Sequence, residues 1–141
     1  MMSQISPKLD TMAKIFDYAV QKHGKRDCLG TRQILNERVV QQPEGKEMVK
    51  LILDNKYKWQ TYDQLAARVT AVAKGLHELG LSPGDKLMIY ADTKAEWLIT
   101  ALAAFKSSLS VVTIYTNLGE DGVTFSVNQV KSKQNLMSIF I

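Results

Sequence analysis

The chain has 141 residues, of which 45% are hydrophobic and 23% charged, with a formal net charge of +4. That length holds one domain of ordinary size, and the composition excludes a disordered, fibrous or low-complexity class. Residues 1–60 carry 11 basic and 7 acidic side chains, residues 61–141 carry 7 of each, and the mixing with Asp17, Asp27, Glu37, Glu44 and Glu47 describes a solvated surface, with a weak attraction to anionic lipid left open, rather than a nucleic-acid stripe.

In chain order, Asp10 or Thr11 is placed to cap a helix running to about Lys22, with Met12, Ile15, Phe16, Ala19 and Val20 as its apolar stripe and Gly24 as its stop. Arg26–Gly30 reads as a short strand. Thr31–Gly45 reads as a polar connection with Gln41-Gln42-Pro43-Glu44-Gly45 at its tip. Met48–Leu53 and Tyr57–Trp59, joined by Asp54-Asn55-Lys56, predict an antiparallel hairpin. Thr61 with Gln64 three residues on is a capping box, opening a helix whose buried face is Leu65, Val69, Val72, Ala73, Leu76 and Leu79. Gly80 ends it.

The Pro83-Gly84-Asp85 turn leads into Lys86–Tyr90, a short apolar run that predicts a strand. Thr93 and Glu96 have capping-box spacing, and Trp97, Leu98, Ala101, Leu102 and Phe105 follow at helical spacing over Lys94–Lys106. Ser110–Tyr115 is β-branched and strand-like. Strand, helix and strand form a βαβ unit with a right-handed crossover. The pattern then recurs: Asn117 and Glu120 cap a helix over Gly119–Val130, with Val123, Val127 and Val130 on one side, and Asn135–Ile141 predicts a third parallel strand. With Leu102, Phe105, Leu98, Leu76, Val112 and Ile114 as core, the fold class is α/β, with parallel βαβ units after an antiparallel hairpin.

A hydropathy window would select Trp97–Tyr115 as a membrane span. Lys106 at its middle, at about 2.5–3.5 kcal/mol, argues against that. Cys28 is the only cysteine, and there is no Asn-x-Ser/Thr sequon and no secretory signal, which fits an intracellular, cytosolic setting.

The residues that carry chemistry elsewhere have plainer duties here. His23 and His77 have no second ligand at metal spacing, and His77-Glu78 lacks the later histidine of a zincin. Cys28 lies in a Lys-Arg-Asp context that can lower a thiol pKa, but no base is placed to use it, so packing is the default. Gly119-Glu120-Asp121-Gly122 lacks phosphate-loop spacing, and its acids repel phosphate. Asp85, Asp92 and Glu96 fit turn and cap duties, and Trp97 and Tyr115 fit core or subunit contacts. No catalytic, cofactor-binding or metal residue is assigned.

Four stretches, however, share a further pattern. Ser6–Arg32, Tyr57–Leu65 (YKWQTYDQL), Gly80–Phe105 and Val111–Gln129, with Ala-Glu-Trp at 95–97 and Leu-Gly after Ile114-Tyr115, resemble in order the start of a long-chain acyl-CoA synthetase. The likeness is closest to the animal branch that handles long-chain and polyunsaturated fatty acids. It implies a partial N-terminal part, residues 1–141, of an AMP-binding, adenylate-forming domain, with 130–141 as a divergent tail.

The family joins a fatty acid to coenzyme A through an acyl-adenylate made from ATP, with Mg²⁺ neutralising phosphates. Its phosphate loop, fatty-acid tunnel and catalytic lysine lie beyond the matching stretches, so this chain is expected to be inactive alone and to bind no cofactor itself. The family is associated with endoplasmic reticulum, mitochondrial outer membrane or peroxisome; no anchor is read here. The ending resembles that of a truncated reading frame or short splice form, whose last strand leaves a sheet edge open to self-association. Two alternatives stand beside this: a non-catalytic short isoform acting as an interaction module, and a small free-standing nucleotide-binding α/β module.

Overall fold

The computed structural model describes residues 8–43, 45, 47–130 and, as backbone, 136–140. Its elements alternate as expected of an α/β chain: α1 (Met12–His23), β1 (Asp27–Gln41), β2 (Glu47–Thr61), α2 (Tyr62–Glu78), β3 (Lys86–Tyr90), α3 (Ala95–Lys106), β4 (Ser110–Ile114), α4 (Glu120–Val130) and β5 (Leu136–Phe140). β1 and β2 form an antiparallel ribbon; β3, β4 and β5 form a parallel sheet in the order β4-β3-β5.

The ribbon differs from the sequence expectation. Met48–Leu53 and Tyr57–Trp59 are two parts of one strand, β2, and both pair with β1. Thr31–Gln41, expected as connection, is most of β1. Asp54-Asn55-Lys56 is an irregularity inside the ladder, where Ile34 faces Leu53 but Arg32 already faces Tyr57. Arg32 stabilises it, its Nε donating to the Asp54 carbonyl at 2.6 Å and a second guanidinium nitrogen to the Leu53 carbonyl at 3.4 Å. Extra residues in one strand re-aim the ribbon instead of reversing it. The true reversal is at the expected tip, where Gly45 adopts φ +76° and its N–H donates to the Gln42 carbonyl.

α2 starts as its sequence predicts. The Thr61 hydroxyl accepts from the Gln64 N–H at 3.3 Å, and the Gln64 side chain accepts from the Thr61 N–H at 2.9 Å. α3 does not. Lys94 is its cap residue and no side chain bonds there, so Thr93 and Glu96 make no capping box; Glu96 instead faces Arg68 of α2 at 3.5 Å. α1 is capped by Thr11, which accepts from the Lys14 N–H.

The core lies where α2 and α3 cover one face of the parallel sheet. Leu65, Val69 and Leu76 of α2 meet Ile99, Ala101, Leu102, Ala103 and Ala104 of α3, and Leu87 and Ile89 of β3 point into them. The runs of small residues in α3 let it be buried from Ile99 to Ala104, nearly all round. Two expected core positions fall outside, Leu79, exposed because α2 has ended beside it, and Leu98, on the outer side of α3; Val112 is half-buried, and Phe105 is half-buried but packs against the core. Met88 and Ile114 are buried but belong to the other sheet face. The chain passes from β3 to β4 on one side and from β4 back across to β5 on the other, an order that with crossovers of the usual right hand sets α4 on the face opposite α3; its Val123, Val127 and Val130 are half-buried.

Candidate functional site at the carboxyl ends of the parallel strands

In an open parallel sheet the ligand crevice lies outside the carboxyl ends of the strands, where successive crossovers diverge. Here the chain runs from β3 to β4 on one side and then to β5 on the other. The divergence places the crevice at the ends of β3 and β5, where Tyr90 pairs with Phe140. The rim is built by two loops, one after β3 with Asp92 and Thr93 and one after β4 with Tyr115, Thr116 and Asn117.

These loops are tied together. The Thr116 hydroxyl donates to the Asp92 carboxylate at 2.5 Å, and the Tyr90 hydroxyl donates to the Thr116 carbonyl at 3.0 Å. Asp92 therefore holds a loop. Tyr115 stands 80% exposed on the rim, which excludes the core half of the expected core or subunit contact. Glu120 and Asp121 occupy the first turn of α4, where their charge suits the helix dipole and opposes a phosphate. A Cβ at Gly122 would meet the Leu118 Cβ at 3.3 Å, a tight contact to which Leu118 would have to give way slightly.

The opposite end of the sheet is structural. Asp85 is buried and accepts from the Ser82 N–H at 2.8 Å, closing the turn in which Gly84 has φ +93°. Lys86 donates to the Val130 carbonyl at 3.2 Å, a cation at the negative end of α4. Cys28 is half-buried and donates to the Gln60 carbonyl; burial, with Asp27 beside it, pushes its thiol pKa up, away from nucleophilic reactivity. His23 packs against the Tyr62 ring at 5.8 Å, and His77 is exposed. Among the described residues no three His, Cys, Asp or Glu side chains gather as a metal site, and no helix is long and apolar enough to cross a membrane. An open groove of about 540 Å³ along α1, lined by Lys8, Leu9, Asp10, Lys14, Asp17, Tyr18 and Gln21, contains the exposed Lys14–Asp10 ion pair at 2.7 Å.

Against this geometry, comparison with known proteins decides the family. The profile of the AMP-binding enzyme family, described as "AMP-binding enzyme", matches residues 35–137. The chain belongs to the AMP-binding enzyme family. It is similar to long chain acyl-CoA synthetase 8 of Arabidopsis thaliana, 36% identical over 121 residues, covering 86% of this chain and 17% of that protein. Long-chain-fatty-acid–CoA ligase 1 of Schizosaccharomyces pombe is 30% identical over 138 residues, covering 88% of this chain and 20% of the ligase. The chain thus spans about a fifth of the length of these relatives and corresponds to their N-terminal portion.

Among solved structures, the A-PCP didomain of the carboxylic acid reductase of Segniliparus rugosus, in complex with AMP, superposes with a TM-score of 0.70 at 16% identity. That match covers 96% of this chain and 18% of the didomain, and it establishes the adenylation-domain fold.

Proposed function

We propose that these residues are the structural start of an enzyme that activates a long-chain fatty acid with ATP and passes the acyl group to coenzyme A. The observation that carries this reading is the 36% identity to a long chain acyl-CoA synthetase over 86% of the chain. The described residues support the division of labour it implies. They supply a packed α2–α3–sheet scaffold and a rim at the carboxyl ends of β3 and β4, with its one well-placed carboxylate, Asp92, engaged by Thr116. The nucleotide, the metal that neutralises its phosphates and the acyl chain belong to the rest of such an enzyme. In this reading residues 1–141 form part of one domain, act inside the cell, and have fatty acid, ATP and coenzyme A as partners only within the longer protein.

Two assays test it together. The purified chain releases no fatty-acid-dependent pyrophosphate from ATP, and a chimera in which it replaces the matching portion of the Arabidopsis relative retains acyl-CoA formation. Pyrophosphate release by the chain alone, or a folded chimera without acyl-CoA formation, contradicts the proposal.

A further inference from the structure

The outer half of the β1–β2 ribbon has no inside. From Asn36↔Ile52 to Gln41↔Glu47 the ladder runs without a register shift, so directly opposed residues share a face and successive pairs alternate. One face carries Val39 opposite Val49, with Leu51, Glu37 and Glu47. The other carries Arg38 directly opposite Lys50, with Val40 opposite Met48. All of these side chains are exposed.

Two features of this arrangement point to a partner. The faces are opposite in sign, each with two charges and exposed apolar residues between or beside them. The basic face also sets two cations directly across the ladder from each other, which by itself disfavours the ribbon. A neighbouring acidic face removes that cost. Glu37 and Glu47 lie on different strands, four residues apart along the ladder and so about 13 Å apart in that direction. Arg38 and Lys50, also on different strands, have the reach to splay one to each. Glu47 accepts from Gln41 at 2.8 Å through one carboxylate oxygen and keeps the other for such a contact.

We propose that the ribbon is a self-association surface, on which the basic Arg38–Lys50 face of one copy stacks on the acidic Glu37–Glu47 face of a second copy. The contact accounts for both apolar faces, whereas a lipid surface would account only for the basic one. It is heterologous, so a pair of copies retains one free face of each sign and growth continues beyond a dimer.

The test is weight-average mass by light scattering, on the full chain and on two charge-reversed variants, R38E/K50E and E37K/E47K. The wild-type mass at least doubles as concentration is raised and returns to monomer in high salt. Each variant alone, with two faces of one sign, stays monomeric, and an equimolar mixture of the two associates again. Equal association of all three proteins overturns the proposal and assigns the contact to the edge of β5; monomers throughout also overturn it. Monomers that bind anionic vesicles, less for R38E/K50E and more for E37K/E47K, overturn it in favour of a lipid surface. Should a reversal lower the far-UV circular dichroism, R38Q/K50Q and E37Q/E47Q carry the same comparison, and association undiminished in both overturns the proposal.

Discussion

Leu87 in β3 has no exposed surface, whereas Val39 in β1 keeps 62% of its own in water. Both are aliphatic strand residues with apolar neighbours across the ladder, Val111 for one and Val49 for the other. The difference lies in what covers the strand. β3 is central in its sheet, with α3 and α2 packed over one face, and its three middle side chains are buried in a five-residue strand. β1 is three times as long, has one partner strand, and among the described residues is left exposed from residue 33 onward. Strand length and hydrophobicity do not make a core. A second layer does.

Substitutions separate the two regions most widely. Leu87→Ala removes a fully buried side chain from a packed layer and is expected to cost about 2–5 kcal/mol. Leu51→Ala on the exposed ribbon is expected to change stability by less than about 0.5 kcal/mol. Urea unfolding of both variants checks the pair. Similar losses would mean that the ribbon is packed as tightly as the sheet. A smaller difference separates the two helix starts: Thr61→Ala breaks a formed capping box and costs about 1 kcal/mol, while Thr93→Ala, at a position with no cap bond, stays within about 0.5 kcal/mol. Equal losses would place a cap at Thr93 after all.

The sequence was most legible where local chemistry and tertiary packing ask for the same thing. Thr61 and Gln64 satisfy each other's backbone groups within one turn, and no distant residue is needed to see it. Lys86–Tyr90 and Ser110–Ile114 are short apolar runs bounded by turn residues, and both are strands. The family resemblance was legible for the same reason, in stretches whose order is kept.

The failures share another cause. Thr93 and Glu96 have capping spacing, but Glu96 turns to Arg68 on a neighbouring helix, a partner 28 residues away that no local pattern shows. Asp54-Asn55-Lys56 has turn composition, yet Arg32 bonds the Leu53 and Asp54 carbonyls from the facing strand and keeps β2 running. A signal for the ribbon was present: Val39-Val40 and Met48-Val49 flank the expected Gln41–Gly45 tip on its two sides. The candidate rim was less legible still. Asp92, Thr116 and Tyr90 meet only because parallel pairing aligns the ends of β3 and β4.

Native-state amide hydrogen exchange along the whole chain tests most directly whether one covered core holds this structure while the ribbon stands outside it. Protection reports the free energy of opening each segment, from near zero for exposed structure up to the global value in the core. The slowest amides are expected in β3 and in the facing turns of α2 and α3, around Val69, Leu87, Ile89 and Ala103, with residues 36–41 and 47–52 exchanging far faster at a concentration where the chain is monomeric. Protection in the monomer's ribbon equal to that of β3 would contradict the account.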